Sequence, residues 1–309
     1  MTTEEKLLKI PIISWFVIFF KKIKVPGLEG MSLYNVLEMY GLGIVRGALT
    51  SRAGGIAFSF FMALFPFALF ILTLIPYIEI EGFQEGFMQF ISQALPPQTF
   101  DAVKAVFDDI INNKYSGLLS FGFILSIFLM TNGINALFGG FEYSYHKLQT
   151  RSMVRQFLVS MAISILLALL LFITIAVIIY FEIAIDNFKQ KGYVSDDLFW
   201  IKTGHYIIIL AMLFITVALF YFFGTKEGRL VTFFSPGAFL TTILLLLNFK
   251  LFGVYVQKFA QYNELYGSIG TLLVLMIFIW LNSIILLLGF ELNAAIIGLK
   301  RKCREELSN

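Results

Sequence analysis

The feature that most constrains this sequence is a series of six long apolar stretches, each long enough to cross a lipid bilayer. Crossing the hydrocarbon core takes about 20 mostly apolar residues in a helix. The predicted spans are Ser51–Tyr77, Gly117–Phe138, Met153–Phe181, Lys202–Phe223, Pro236–Lys258 and Ser268–Leu299. Because lipid offers no hydrogen-bond partner to an exposed backbone, each span must be helical. The predicted fold class is therefore all-α: a polytopic membrane protein with six transmembrane helices plus amphipathic N-terminal and periplasmic helices.

Composition supports a membrane protein and argues against several other classes. Hydrophobic residues make up 59% of the chain and charged residues 14%, and the mean hydropathy is +0.84. Ordinary soluble domains carry about 25% charged residues. The net charge is only +3 and no dense basic run interleaves with aromatic residues, so no nucleic-acid partner is predicted. Cys303 is the only cysteine, which leaves no intramolecular disulfide to form.

The placement of basic residues predicts the orientation of the spans. Most of the 23 Lys and Arg residues lie before the first span, in the second and fourth connections, or in the C-terminal tail. Basic residues are retained in the cytoplasm, so both termini are predicted to be cytoplasmic. Lys189, Lys191 and Lys202 in the third connection weaken this contrast.

Three regions are expected along the chain. They are residues 1–50, with interfacial amphipathic helices, residues 51–299, the transmembrane domain with an external helical insert at 79–116, and residues 300–309, a basic cytoplasmic tail. Ile10–Phe20 is too short to span and is flanked by lysines, which favours a helix at the membrane surface. Ser32–Thr50 is predicted as a second helix capped by Ser32. The insert is either a cap on the bundle or a gate that contacts lipid.

Residue patterns typical of catalysis are missing from the sequence. The two histidines, His146 and His205, are predicted on opposite membrane faces, and neither belongs to a metal-ligand cluster. The sequence contains no Walker-type glycine loop and no G-x-S-x-G elbow. We therefore predict no metal, no cofactor and no enzymatic activity.

Polar residues inside the apolar spans are the candidate functional residues, because such groups are costly in lipid. They are Arg52, Lys250, Glu291, Asn248 and Asn293. Arg52 and Glu291 are expected at the same depth and therefore paired, either as a structural ion pair or as part of a transport route. Lys250 lies roughly 21 Å along its helix from Pro236. It either reaches the outer interface or faces a cavity that accepts an anionic headgroup.

Two prolines are expected to kink the first span. Pro66 lies in the middle of this span and Pro76 near its outer end. Each removes one backbone donor and frees the carbonyl one turn earlier. A kink by itself does not imply a moving part.

Four segments carry a resemblance to a known family. Residues 52–66, RAGGIAFSFFMALFP, resemble the first-span signature of the YihY/BrkB inner-membrane proteins. Residues 235–239, SPGAF, are similar to that family's entry to span five, and residues 263–270, NELYGSIG, and 288–293, LGFELN, complete the match. The resemblance covers roughly residues 30–300. The connection Gly224–Arg229 lacks the proline common in relatives, so the family's loop shape is not carried over to it.

The resemblance implies six spans in a bacterial inner membrane. Members of the family have been labelled ribonuclease BN, which the missing metal-ligand pattern argues against here. Others are called virulence factors linked to serum resistance, and some have been tied to the export of envelope lipids. None of these labels identifies a substrate.

The leading functional hypothesis is a membrane protein that admits or translocates a lipid or another amphipathic substrate, with membrane lipids as partners. Arg52 and Lys250 would contact anionic headgroups and Glu291 would balance Arg52. The alternatives are a scaffold that holds an envelope protein partner and a membrane-embedded lipid enzyme. A cavity lined by Arg52 and Lys250 would favour transport, whereas a closed bundle would favour the scaffold. Substrate and oligomeric state are left open.

Overall fold

The architecture is that of a helical bundle, seen in a computed structural model. The structure describes residues 18–24, 32–74, 76, 88, 104, 116–144, 151–190, 197–227, 232–259 and 268–308. The long helices in these ranges are α1 (Leu33–Arg46), α2 (Leu49–Leu74), α3 (Ser116–Glu142), α4 (Met153–Gln190), α5 (Asp197–Gly224), α6 (Pro236–Phe259) and α7 (Ser268–Ser308). Most of the predicted surface helix Ile10–Phe20, and the insert 79–116 apart from isolated positions, lie outside the described residues.

The predicted transmembrane character is confirmed by the helix lengths and their apolar sequences. Within the described residues, five segments qualify as spans: Phe121–Glu142, Met153–Lys189, Phe199–Gly224, Pro236–Val256 and Leu272–Arg301. A bent pair, Leu33–Val45 with Leu49–Phe67, also qualifies when it is counted as one span, which makes six. The chain is therefore a polytopic all-α membrane protein.

The junction between α1 and α2 differs from the prediction of one surface helix over Ser32–Thr50. Helix α1 ends at Arg46, and the chain turns through Gly47 and Ala48 before α2 begins at Leu49. Ala48 adopts a φ of 46°, a left-handed conformation that costs a non-glycine residue energy. The two helix axes meet at 64°. The first span thus begins two residues earlier than predicted, at a sharp corner.

Several helices extend beyond the predicted apolar spans. Helix α3 continues to Glu142, α4 to Gln190 and α7 to Ser308. With 38 and 41 residues, α4 and α7 are about 57 and 61 Å long, far longer than a hydrocarbon core of about 30 Å. Residues 300–308, predicted as a tail, therefore continue the last helix. Pro66 lies inside α2, which continues to Leu74.

Among the described residues, most of the largest fully buried side chains lie at the end of the bundle where α2, α4 and α6 begin and α3, α5 and α7 arrive. We call this the basic end, because Arg52, Arg151, Arg155, Lys226 and Lys300 lie there. Its core includes the buried side chains Ile56, Leu137, Phe138, Phe141, Val217, Tyr221, Leu287 and Phe290. The rings of Phe141 and Phe290 stack with centroids 4.1 Å apart. Towards the opposite end the described helices expose large apolar side chains, as lipid-facing surfaces do.

Candidate functional site

Arg52 and Glu291, predicted to pair, lie together at the centre of the basic end. Arg52 Nη1 is 2.7 Å from Glu291 Oε1, and the two side chains are 8% and 0% exposed. The pair joins the first turn of α2 to α7. We call Arg52, Glu291 and the groups bonded to them the clasp.

The clasp gathers three separate segments of the chain: the corner before α2 with its first turn, the end of α3, and α7. Arg52 Nε donates to the Gly140 carbonyl of α3 at 2.8 Å, and its Nη1 also donates to the Gly47 carbonyl at 2.9 Å. Ser144 Oγ donates to Glu291 Oε2 at 2.8 Å, so both carboxylate oxygens accept a hydrogen bond. The turn at Gly47 thus exposes the carbonyl that Arg52 binds. Gly47 also leaves room for the clasp, because a Cβ there would lie 3.0 Å from Arg52 Nη1.

The chemistry of the clasp is that of a desolvated ion pair. Taking two charges out of water is repaid only when the geometry is good and the remaining donors and acceptors are satisfied. Here the carboxylate is fully satisfied, whereas the buried Arg52 Nη2 has no hydrogen-bond partner in the part of the chain that the structure describes. The arrangement holds helices together and leaves Glu291 no exposed surface for a ligand.

Asn293 forms a second fastening, which joins α7 to the start of α6. Its Oδ1 accepts a hydrogen bond from the Gly237 amide at 2.9 Å, and its Nδ2 donates to Ser235 Oγ at 3.0 Å. Ser235 Oγ in turn accepts from the Ala238 amide at 3.2 Å. Free amides at the start of a helix need such acceptors, so Asn293 and Ser235 together cap α6.

Asn248 and Lys250, two residues apart on α6, have different environments. Asn248 Nδ2 donates to Asn282 Oδ1 on α7 at 3.1 Å, and Asn282 Nδ2 donates to the Phe278 carbonyl. Lys250 is exposed on the helix surface. No hydrogen bond or ion pair joins Lys250 to any residue that the structure describes. Asn248 is therefore a helix–helix contact, and Lys250 projects outward from the bundle.

A cavity of about 450 Å³ lies between α4 and the end of α5. It is lined by Arg151, Arg155, Val159, Ala162, Ile163, Leu166, Phe223 and Lys226; we call it the α4 groove. A neighbouring cavity of about 790 Å³ shares Arg151 and includes Asn135 and Glu142. Neither of these two cavities is lined by Arg52 or Lys250. The two cationic candidates from the sequence are therefore not brought together in either cavity.

The three cations of the α4 groove have different roles. Arg151 Nη1 and Nη2 donate to the carbonyls of Phe223 and Thr225 at 2.5 and 2.7 Å, and so they cap the C-terminal end of α5. Arg155 and Lys226 are exposed and form no hydrogen bond or ion pair with described residues. Glu142 lies in the neighbouring cavity, where it accepts from the Arg151 amide at 3.2 Å. Arg155 and Lys226, at the groove entrance, are therefore available to bind a ligand.

The groove was missed in the sequence because its residues look like an ordinary start of a span. A signal is nevertheless present: Arg155, Val159, Ala162, Ile163 and Leu166 recur at the three- and four-residue spacing of one helix face. This pattern indicates a cation at the head of an apolar stripe. It does not indicate Phe223 and Lys226, which form the other wall.

No group of three or more metal-ligating side chains occurs among the described residues. At the opposite end of the bundle, His205 Nε2 lies 2.9 Å from Glu182 Oε1 on α4. His146 lies outside the described residues. The candidate site is therefore a set of interhelical polar contacts beside an apolar groove that begins at two cations. Together with the fold, it defines a multi-pass helical membrane protein.

Comparison with known proteins assigns the family. Residues 43–306 match the model of the virulence factor BrkB family, and the chain belongs to that family. It is 31% identical over 247 residues to the "Putative ribonuclease-like protein YfkH" of Bacillus subtilis (strain 168), covering 79% of this chain and 88% of that protein. The resemblance seen in the sequence is thereby confirmed.

More distant relatives are named as membrane proteins. The chain is 23% identical to the UPF0761 membrane protein NT05HA_1801 of Aggregatibacter aphrophilus (strain NJ8700), with 81% of this chain and 88% of that protein covered. It is 22% identical to the UPF0761 membrane protein NTHI0384 of Haemophilus influenzae (strain 86-028NP), with 86% and 96% covered. No solved structure matches.

Proposed function

We propose that this protein admits an amphipathic lipid of the cell envelope from the cytoplasmic leaflet and eases its passage across the inner membrane. In this proposal the basic end lies on the cytoplasmic side, with both termini. The positive-inside rule supports this orientation, since Arg151, Arg155, Lys226 and Lys300 lie at that end. Membrane lipids are the partners, and the proposal includes no catalytic step.

The observation that carries the proposal is the depth of the α4 groove. Leu166 lies eleven residues beyond Arg155 on the same helix, which is roughly 16 Å along the axis. That is about half of a hydrocarbon core of 30 Å. An apolar wall that begins at a cation and reaches about the midplane matches the two-part chemistry of a lipid, a polar headgroup followed by acyl chain.

The proposal moves the substrate away from the residues first suggested by the sequence. Arg52 is 8% exposed and bonded to Glu291, so a headgroup could reach it only by breaking the clasp. Lys250 lies on the outward surface of α6. The lipid route is therefore assigned to the α4 groove, and Arg52, Glu291 and Asn293 are assigned to holding the bundle closed beside it.

The test is lipid scrambling in proteoliposomes that carry a labelled phospholipid. We expect faster exchange between leaflets than in empty vesicles. Ala162→Phe should slow it by filling the groove, because Ala162 is an exposed wall residue. Ala211→Phe is the matched control, since Ala211 is exposed on α5 and does not line the groove. Exchange no faster than in empty vesicles would remove the proposal.

A non-transporting scaffold is the second candidate, and the closed basic end favours it. The clasp and the Asn293 contacts join α2, α3, α6 and α7 by direct hydrogen bonds, which suits a rigid platform. The scaffold predicts no acceleration of exchange by the wild-type chain. It also predicts that an envelope protein held by this chain leaves the membrane when the chain is deleted. That protein should return to the membrane when the Ala162→Phe variant is expressed.

A further inference from the structure

We propose that the α4 groove is a binding site for an anionic phospholipid, with Arg155 and Lys226 as the ligands of the headgroup phosphate. This inference rests on the proposed function and specifies its substrate class. The acyl chain lies along Val159, Ala162 and Leu166. Phosphate oxygens accept hydrogen bonds from both cations.

The charge of the groove entrance selects an anion. Arg155 on α4 and Lys226 after α5 lie on opposite walls of one cavity, and no carboxylate is among the described residues that line it. Arg155 lies in the first turn of α4, where the positive end of the helix dipole also favours an anion. An arginine guanidinium can form two parallel hydrogen bonds to a phosphate, and a lysine ammonium adds a compact charge.

Arg151 prepares this site without occupying it. Its guanidinium is bonded to the carbonyls of Phe223 and Thr225, which fixes the residue before Lys226 against the start of α4. The two walls of the entrance are thereby held at a set separation. Arg151 is a positioning residue, and the two exposed cations are left to face the headgroup.

The apolar wall favours a lipid over free phosphate as the ligand of this site. Leu166 is 41% exposed and lies on the same helix face as Arg155, Val159 and Ala162. A soluble anion has no group that could pack along this stripe, whereas the acyl chain of a lipid can make van der Waals contacts along its whole length. Both charge and wall are therefore required for full affinity.

The experiment measures the preference of the full-length chain for phosphatidylglycerol over phosphatidylcholine. The protein is placed in phosphatidylcholine nanodiscs, and the motionally restricted fraction of each spin-labelled lipid is recorded. The wild type should prefer phosphatidylglycerol. Arg155→Gln with Lys226→Gln should lower that preference roughly 30-fold, about fivefold for each cation removed from beside the anionic headgroup. Lys250→Gln with Lys300→Gln, two exposed cations outside the groove, should leave it unchanged.

Two further arms distinguish a lipid from a soluble anion. Ala162→Phe keeps both cations and should lose the restricted lipid, while Ala211→Phe should keep it. Glycerol phosphate should compete poorly with the intact lipid. Arg155→Lys with wild-type Lys226 should retain most of the preference, which shows that the site still folds when Arg155 is replaced.

Each result decides the inference. An equal preference in the wild type and the Arg155→Gln/Lys226→Gln variant overturns it, and so does full competition by glycerol phosphate. Lipid binding without scrambling would leave the site standing and remove the transport proposal. Scrambling by a wild type that shows no preference for phosphatidylglycerol would overturn the site and leave the transport proposal standing.

Discussion

Arg52 and Arg155 lie at the same end of the bundle, each in the first turn of a long helix, and yet they meet opposite environments. Arg52 is buried and bonded to Glu291 and to two backbone carbonyls. Arg155 is exposed at a groove entrance and has no hydrogen-bond or ion-pair partner among the described residues. The comparison shows that the neighbouring helices decide whether a cation in this bundle is buried and paired or exposed. A cation that is paired with a buried carboxylate holds helices together, whereas an exposed cation without a partner can bind a ligand.

Removing the clasp should produce the largest effect. Arg52→Ala leaves Glu291 buried without its charge partner, and we expect a loss of about 3–5 kcal/mol in the free energy of unfolding. Arg155→Ala, at the exposed site, should change it by about 0.5 kcal/mol or less. Denaturant titration in mixed micelles measures both values. Similar losses in the two variants would contradict the distinction between the two arginines.

A charge reversal tests the contact itself. Arg52→Glu and Glu291→Arg should each be severely destabilising, and the combination should be milder than either single change. The double variant still loses the bonds from Arg52 to Gly140 and Gly47, so full recovery is not expected. If the double variant were no milder than both singles, the ion pair would be irrelevant to stability.

The close approach of α6 and α7 should give the next largest effect. A Cβ at Gly289 would collide with Thr241 Oγ1 and would lie 2.7 Å from the Gly237 carbonyl oxygen. We expect Gly289→Ala to lower the free energy of unfolding by about 1–3 kcal/mol. Gly253→Ala is the control towards the opposite end of α6, since nothing lies within 4 Å of its Cβ. This variant should be neutral or up to about 1 kcal/mol more stable.

The buried contact of Asn293 should contribute more to stability than the contact of Asn248, just as buried Arg52 should contribute more than exposed Arg155. Asn293→Ala leaves the buried Gly237 amide without an acceptor, which should cost about 1–3 kcal/mol. Asn248→Ala removes one interhelical hydrogen bond to Asn282 and should cost about 0.6 kcal/mol, a typical value in a membrane bundle. Thermal unfolding of the two variants in one detergent gives the comparison. A larger loss for Asn248→Ala would show that the fastening extends to the middle of the membrane.

The smallest effect is expected at Lys250. Lys250→Gln should leave both the unfolding midpoint and the preference for phosphatidylglycerol unchanged, because this exposed side chain does not line the α4 groove. Arg155→Gln alone should reduce the preference about fivefold. Lipid restriction in nanodiscs measures both. A loss of preference in Lys250→Gln would return the headgroup site to α6.

Much of the fold was predictable because hydrophobicity is a local property. The starts of α4 at Met153, α6 at Pro236 and α7 at Ser268 coincide with the predicted starts of spans three, five and six. The far ends were less predictable, since a helix can continue into water after its apolar run ends. The corner at Gly47 and Ala48 was missed because the apolar period runs through it.

Contacts in the candidate site could be predicted from the sequence only where the depth of two residues in the membrane was enough to pair them. Arg52 and Glu291 were expected at one level of the membrane, and the structure places them in contact. The roles of Ser144, Asn282 and Ser235 as partners could not be inferred, because each depends on which helices are neighbours and how they are rotated. Lys226 was missed for the same reason: its role follows from α5 lying beside α4.

The sequence by itself determined the solvent and, through it, the secondary structure, because a backbone in lipid must satisfy its own hydrogen bonds. It also determined the family, because residues 43–306 match the family model. Only the tertiary structure decided which cations are neutralised and which stay open. The physical reason is that charge pairing in a low dielectric depends on separations of a few ångströms between different helices, and these separations arise from packing.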